Sequence, residues 1–148
     1  MTNYLLFLLS GRVFGVRLRG AIEILPWRPS RSVPMSYSYV DGLLDYRGAV
    51  YPIFNLARRL GISQPGPIGF TAADSEAARA PQSIILLEEN NMPFGVIADG
   101  VVRMTRLEEQ PASPEKVQGI DLRYVKGCVT DEDHEALILD FERLFHAG

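Results

Sequence analysis

Short apolar runs separated by turn residues set the pattern of this chain from its first residues. Six apolar positions, Tyr4–Leu9, are followed by Ser10-Gly11-Arg12 and then by Val13–Leu18, which predicts a β-hairpin. The segment Gly20–Leu25 fits either a further strand or a helical turn. Pro26, Pro29 and Pro34 make the next stretch a loop, because each proline removes a donor and fixes φ. Val40–Leu44 and Ala49–Phe54 predict a second strand pair joined at Asp45-Tyr46-Arg47-Gly48. Pro52 inside the latter strand points to a sheet edge or a bulge. A single helical turn follows at Leu56–Leu60, stopped by Gly61.

Residues 61–82, rich in Gly, Pro, Ser and Ala, predict a long loop. The alternation then resumes. Ser83–Leu87 and Phe94–Ala98 form a hairpin around Glu88-Glu89-Asn90-Asn91, and Val101–Leu107 follows as a strand. A polar loop, Glu108–Gly119, precedes two strands, Ile120–Thr130 and Ala136–Phe141, that pair across Asp131–His134. A last helical turn is expected at Glu142–His146.

This order repeats. Tyr39-Val40-Asp41-Gly42 is echoed 85 residues later by Tyr124-Val125-Lys126-Gly127, and Ile53–Leu60 by Ile138–Phe145. At an offset of 80, Phe14-Gly15-Val16 and Gly20 match Phe94-Gly95-Val96 and Gly100. Only five of the twenty-two pairs from 39 to 60 are identical, so the shared apolar pattern carries the repeat. The copies, 4–60 and 83–146, each predict about five strands and then a helical turn. The expected fold is therefore mainly β, as two small barrels or sandwiches that leave no long edges. Strand exchange across the repeat boundary is compatible with it. Gly15, Gly42, Gly48, Gly95 and Gly127 are expected to be structural, at turns, bulges or close backbone approaches.

A length of 148 residues suits one domain, and a 47% hydrophobic and 22% charged composition is that of a globular protein. No apolar run approaches the ~18 residues of a membrane-spanning helix. The apolar N-terminal run lacks the basic flank of a signal peptide. Cys128 is the single cysteine, which excludes an internal disulfide, fits a reducing compartment and is expected to be a buried thiol. The net charge of −3 divides into +5 for residues 1–60 and −8 for residues 61–148. The hairpin tips carry the contrast: Asp45-Tyr46-Arg47-Gly48 in one copy, Thr130-Asp131-Glu132-Asp133 in the other. Such a split suggests two surfaces for different partners.

Catalytic chemistry finds little support. The acidic hairpin 131–135, with Asp131, Asp133, His134 and Glu135, lacks calcium-loop spacing, and His134 and His146 are too few for a zinc site. A small metal-binding domain built on this hairpin stands as the competing class. There is no nucleophile elbow and no phosphate-binding loop. Glu108 and Glu109 read as a solvated loop. Arg28, Arg31, Arg47, Arg58 and Arg59 with Trp27, Tyr37, Tyr39 and Tyr46 resemble a nucleic-acid patch, but two lysines and an acidic second half argue against one.

The run Val40-Asp41-Gly42-Leu43-Leu44-Asp45-Tyr46-Arg47-Gly48-Ala49-Val50-Tyr51-Pro52-Ile53-Phe54-Asn55-Leu56 resembles the core motif of the CheW-like family of bacterial chemosensory adaptors. Phe14-Gly15-Val16, Glu23-Ile24 and Phe94-Gly95-Val96-Ile97-Ala98-Asp99-Gly100-Val101 extend the likeness over about residues 4–145. The resemblance implies two five-stranded SH3-like barrels and a non-catalytic role without metal or cofactor. It implies a cytoplasmic adaptor at receptor arrays, whose partners are chemoreceptor tips and the CheW-like regulatory domain of the histidine kinase CheA. It assigns receptor or kinase contacts to Arg47, Glu23, Ile24, Val50 and Asp45, and a kinase contact in the second barrel to Asp99, Gly100 and Met104. Two roles are open for Arg47, bracing its own hairpin or holding a partner, and core packing is the favoured reading of Ile24. Asn55 stands where the family often has Asp, and Tyr46 where an aliphatic residue is common. These departures leave open a gliding or pilus-type system in place of a flagellar one. A regulatory domain of a larger kinase or coupling protein is a further reading.

Overall fold

The computed structural model describes residues 1–19, 22–62, 82–89, 91–112, 117, 119–132 and 134–145. The predicted 61–82 loop falls mostly outside them. Ten strands are described: β1 (Thr2–Leu9), β2 (Arg12–Arg17), β3 (Glu23–Pro26), β4 (Val40–Tyr46), β5 (Ala49–Phe54), β6 (Ser83–Glu89), β7 (Met92–Ala98), β8 (Gly100–Leu107), β9 (Val125–Asp131) and β10 (His134–Leu139). Two five-residue helices, α1 (Leu56–Leu60) and α2 (Phe141–Phe145), follow β5 and β10.

The strands form two five-stranded sheets, ordered β8-β1-β2-β10-β9 and β3-β6-β7-β5-β4. Each sheet draws strands from both sequence copies, so neither copy builds a barrel alone. The parallel pairings β2–β10 and β7–β5 join the copies. One further bridge closes each sheet on itself: Arg31 and Leu43 exchange two backbone hydrogen bonds of 2.8 Å, and Gln110 and Cys128 do the same. The result is two SH3-like barrels.

Side-chain alternation explains the apolar runs. On β1, Tyr4 and Leu6 point into the second barrel, β8-β1-β2-β10-β9, whereas Leu5, Phe7 and Leu9 enter a core shared between the barrels. On β6, Ile84 and Leu86 fill the first barrel, β3-β6-β7-β5-β4, whereas Ile85 and Leu87 join the same shared core. Strands buried on both faces read as continuous apolar segments in place of strict alternation. Leu56, Leu60, Phe141 and Leu144 from both helices complete this shared core, the largest of the three.

The hairpins narrow to two-residue turns. Ser10-Gly11 have φ of 51° and 79°, and Arg47-Gly48 have 50° and 79°, the left-handed pair that a hairpin matching strand twist requires. Gly48 is thus a turn glycine. Gly15, Gly42, Gly95 and Gly127 instead lie inside strands, where neighbours come too close for a side chain. A Cβ on Gly15 would stand 2.7 Å from Ile138 Cδ1, and one on Gly95 2.6 Å from Ile53 Cδ1. On Gly42 and Gly127 it would meet the bridging carbonyls of Arg31 and Gln110 at 2.4 and 2.6 Å.

Of the Gly20–Leu25 segment, open between strand and helical turn, Glu23–Leu25 is strand within β3, and residues 20 and 21 lie outside the described residues. Three expectations are revised. The Ile120–Thr130 strand starts at Val125, because Asp121 caps a 3-10 turn at Leu122–Tyr124 by accepting from the Arg123 N–H at 3.0 Å. Strand β5 is interior, and Pro52 is tolerated because pairing with β7 is registered only at Ile53 and Phe54. Glu109 is no solvated loop residue. It takes Arg17 Nη2 at 2.5 Å and the Tyr4 hydroxyl at 3.2 Å.

Candidate functional site

Barrel closure brings β3 against the β4–β5 hairpin and assembles a polar lock at its tip. The Glu23 carboxylate accepts from the Tyr46 hydroxyl at 2.5 Å and from Arg47 Nη1 at 2.9 Å. That acceptor, with burial adding to it, holds the Tyr46 phenol above its ordinary pKa. The guanidinium carbons of Arg28 and Arg47 lie 5.4 and 5.2 Å from the Tyr46 ring centre. Asp45 pairs with Arg31 at 3.2 Å. The left-handed turn at Arg47 and Gly48 lifts the arginine stem off the sheet, so its side chain stays 74% exposed while it makes the ion pair. Arg47 therefore braces its hairpin and still offers donors to solvent, since a guanidinium carries five.

Two exposed apolar side chains flank this lock. Ile24 pairs with Ile85 across β3–β6 and shares its face, yet lies at the sheet edge and is 40% exposed. The expected core packing fails for this positional reason. Val50 lies opposite Asp45, on the face that two residues further carries Pro52 and then Phe54, and is 49% exposed. Both stand on the rim of the shared core, where its apolar cover ends. Glu23, Ile24, Asp45, Arg47 and Val50 thus belong to two adjoining segments of one barrel surface.

The second-barrel set does not assemble in this way. The Asp99 carboxylate is occupied within the chain, accepting from the Ser10 N–H at 2.7 Å and the Gln82 side-chain amide at 2.9 Å. It ties the β1–β2 turn to the start of β6. Gly100 begins β8 with open space where a Cβ would project. Met104 is exposed in mid-β8.

Sequence reasoning missed Arg103. It projects from β8 to the β9–β10 tip, where Nε donates to Asp131 at 2.6 Å and Nη2 lies 3.5 Å from Glu132. The repeat offsets carried the signal, since they align Arg103 with Glu23 and Glu132 with Arg47. Asp131 of the acidic hairpin is thereby paired, Asp133 lies outside the described residues, and no metal-holding group of three or more His, Cys, Asp or Glu occurs among the described ones. The arginines of the aromatic-basic patch likewise have partners: Arg58 donates to the Ser38 carbonyl and Arg59 to that of Leu144. Cys128 is buried, as expected. Among the described residues no helix is long and apolar enough to cross a membrane.

The described residues thus form a double SH3-like barrel with a polar, solvent-facing lock at one hairpin tip. The family model of the CheW-like domain matches residues 3–148, and the chain belongs to that family. It is 24% identical to the chemotaxis protein CheW of Treponema pallidum over 94% of this chain and 79% of that one. It is 25% identical to the probable chemotaxis protein CheW of Rhizobium etli, over 94% and 84%. The crystal structure of the scaffolding protein TtCheW from Thermoanaerobacter tengcongensis superposes with a TM-score of 0.80 at 21% identity, covering 99% of this chain and 89% of that one. That likeness bears on the fold.

Proposed function

We propose that this protein is a non-catalytic cytoplasmic adaptor that couples chemoreceptor tips to the histidine kinase CheA. The observation that carries the reading is the Arg47–Glu23–Tyr46 lock between exposed Ile24 and Val50. Membership of the CheW-like family, with relatives named as chemotaxis proteins, supports it. A receptor tip is helical, and a helix laid along the rim would bury its apolar positions on Ile24 and Val50. Its carboxylates or terminal carbonyls would meet the free donors of Arg47. The CheW-like regulatory domain of CheA would be held by other surfaces of the same molecule, with Gly100 and Met104 the candidate contacts in the second barrel. The test is co-purification with the cognate CheA and with a receptor cytoplasmic fragment. Complex formation with both is expected, and absence of binding to either at tens of micromolar overturns the reading.

A further inference from the structure

The two barrels carry the same lock with its charges reversed. Leu86 of β6 pairs with Gly95 on one side and Glu23 on the other. Leu6 of β1 pairs with Gly15 and Arg103. Glu23 and Arg103 therefore occupy one and the same place in the two barrels, and so do their neighbours Ile24 and Met104. The bridges Arg31–Leu43 and Gln110–Cys128 set the other edges in register. Counting along the hairpins from them, Tyr46 corresponds to Asp131, Arg47 to Glu132 and Val50 to Glu135. Arg47 and Glu132 even share the left-handed conformation, with φ of 50° and 56°. In one barrel an acid on the edge strand holds a tyrosine and an arginine. In the other an arginine on the edge strand holds two acids.

Bracing the hairpin needs an ion pair of either polarity, so the inversion serves no purpose in folding. It does matter for recognition. A chain that repeats one backbone shape offers the same surface twice, and a ligand reading shape and apolar contact alone would occupy both. Ile24 and Met104 are both exposed and apolar, which leaves charge as the distinction. A ligand that places carboxylates or carbonyls on Arg47 and an apolar group on Val50 would meet the carboxylates of Glu132 and Glu135 at the equivalent place. Like-charge contact and the desolvation of a carboxylate reject it.

We propose that lock polarity, set by Arg103, Asp131, Glu132 and Glu135, confines receptor-tip binding to the Arg47 barrel and limits it to one site per chain. The proposal rests on the adaptor reading above. It is tested by calorimetric titration of the full chain with a receptor-tip fragment. The native chain is expected to bind one tip. The variant Arg103→Glu/Asp131→Tyr/Glu132→Arg/Glu135→Val, which copies the first lock onto the second barrel, is expected to bind two, the new site within about 10-fold of the old. Near-ultraviolet circular dichroism checks its fold. If that variant does not fold, Glu132→Arg/Glu135→Val alters only exposed positions, and a second, weaker site is expected. A folded variant that still binds one tip overturns the proposal, as does a native chain that binds two. A native chain that binds none overturns the adaptor reading itself, which separates the two failures.

Discussion

Arg47 pairs with Glu23 yet stays exposed, and its bracing of the hairpin separates by measurement from the partner contact proposed for it. Its ion pair with Glu23 is solvent-facing, and such pairs contribute about 0–1 kcal/mol. Arg47→Ala is therefore expected to lower the melting temperature by no more than about 4 °C, while receptor-tip affinity falls about 10-fold or more in the same titration. Equal affinity for tip and kinase in the variant would remove Arg47 from the site. Tyr4 is the opposite case, a fully buried phenol whose hydroxyl reaches Glu109. Burial, and then the Glu109 charge, raise its pKa above the usual tyrosine value. The native state then holds the phenolic proton to higher pH than the unfolded chain does. That contribution is fully present below about pH 10 and is lost as pH rises through the native value. Urea midpoints of the native chain are expected to hold up to about pH 10 and to fall above it, and Tyr4→Phe to flatten that decline. The motif around Arg47 was visible as a local run of residues. The Tyr4–Glu109 contact was not, because it joins positions 105 residues apart.

Elements built from local chemistry were the most legible. Two-residue turns with left-handed φ and the αL stop at Gly61 need only neighbouring residues, and the strands around them fell where the pattern put them; the Asn55 cap of α1 is as local but was not read from the sequence. The exception at residues 120–124 has a local cause too, the Asp121 cap, which apolar flanks concealed. Between elements, Gly15 and Gly95 let parallel partners approach. Ile138 and Leu6 crowd the first, Ile53 and Leu86 the second. Gly95→Ala is expected to cost about 1–3 kcal/mol through overpacking, because the terminal carbons of Ile53 and Leu86 must shift within a buried core. Denaturant unfolding with an unchanged m-value checks it, and a loss well below that range would show that Ile53 yields freely.

At the scale of the molecule, the copies depend on one another. The Arg59 guanidinium lies 4.7 Å from the Tyr39 ring centre and 5.2 Å from that of Tyr124, the same tyrosine in each copy. Its Nε donates to the Leu144 carbonyl at 2.6 Å, so the arginine of one helix is bound to the other. Because each sheet takes strands from both copies and the largest core lies between barrels, fragments 1–62 and 82–148 are each expected to remain unfolded alone. Mixing them is expected to restore native circular dichroism. A fragment that folds by itself would contradict the shared core. The +5/−8 charge split of the sequence does not map onto barrels, for the same reason. It reappears at finer scale as the opposed polarity of the two locks.

The sequence by itself determined the strands, the turns, the repeat and the family motif, since alternation, turn conformation and helix caps act over a few residues. Tertiary structure decided which strands share a barrel, that Ile24 ends at an exposed edge, that Glu109 is held by Arg17, and that Arg103 answers Glu23. Each of these depends on pairing between segments separated along the chain, and a repeat leaves such pairing ambiguous. The same local pattern serves copies that stand apart or copies that exchange strands. Closing two barrels around one shared core, with both faces of β1 and β6 buried, removes that ambiguity.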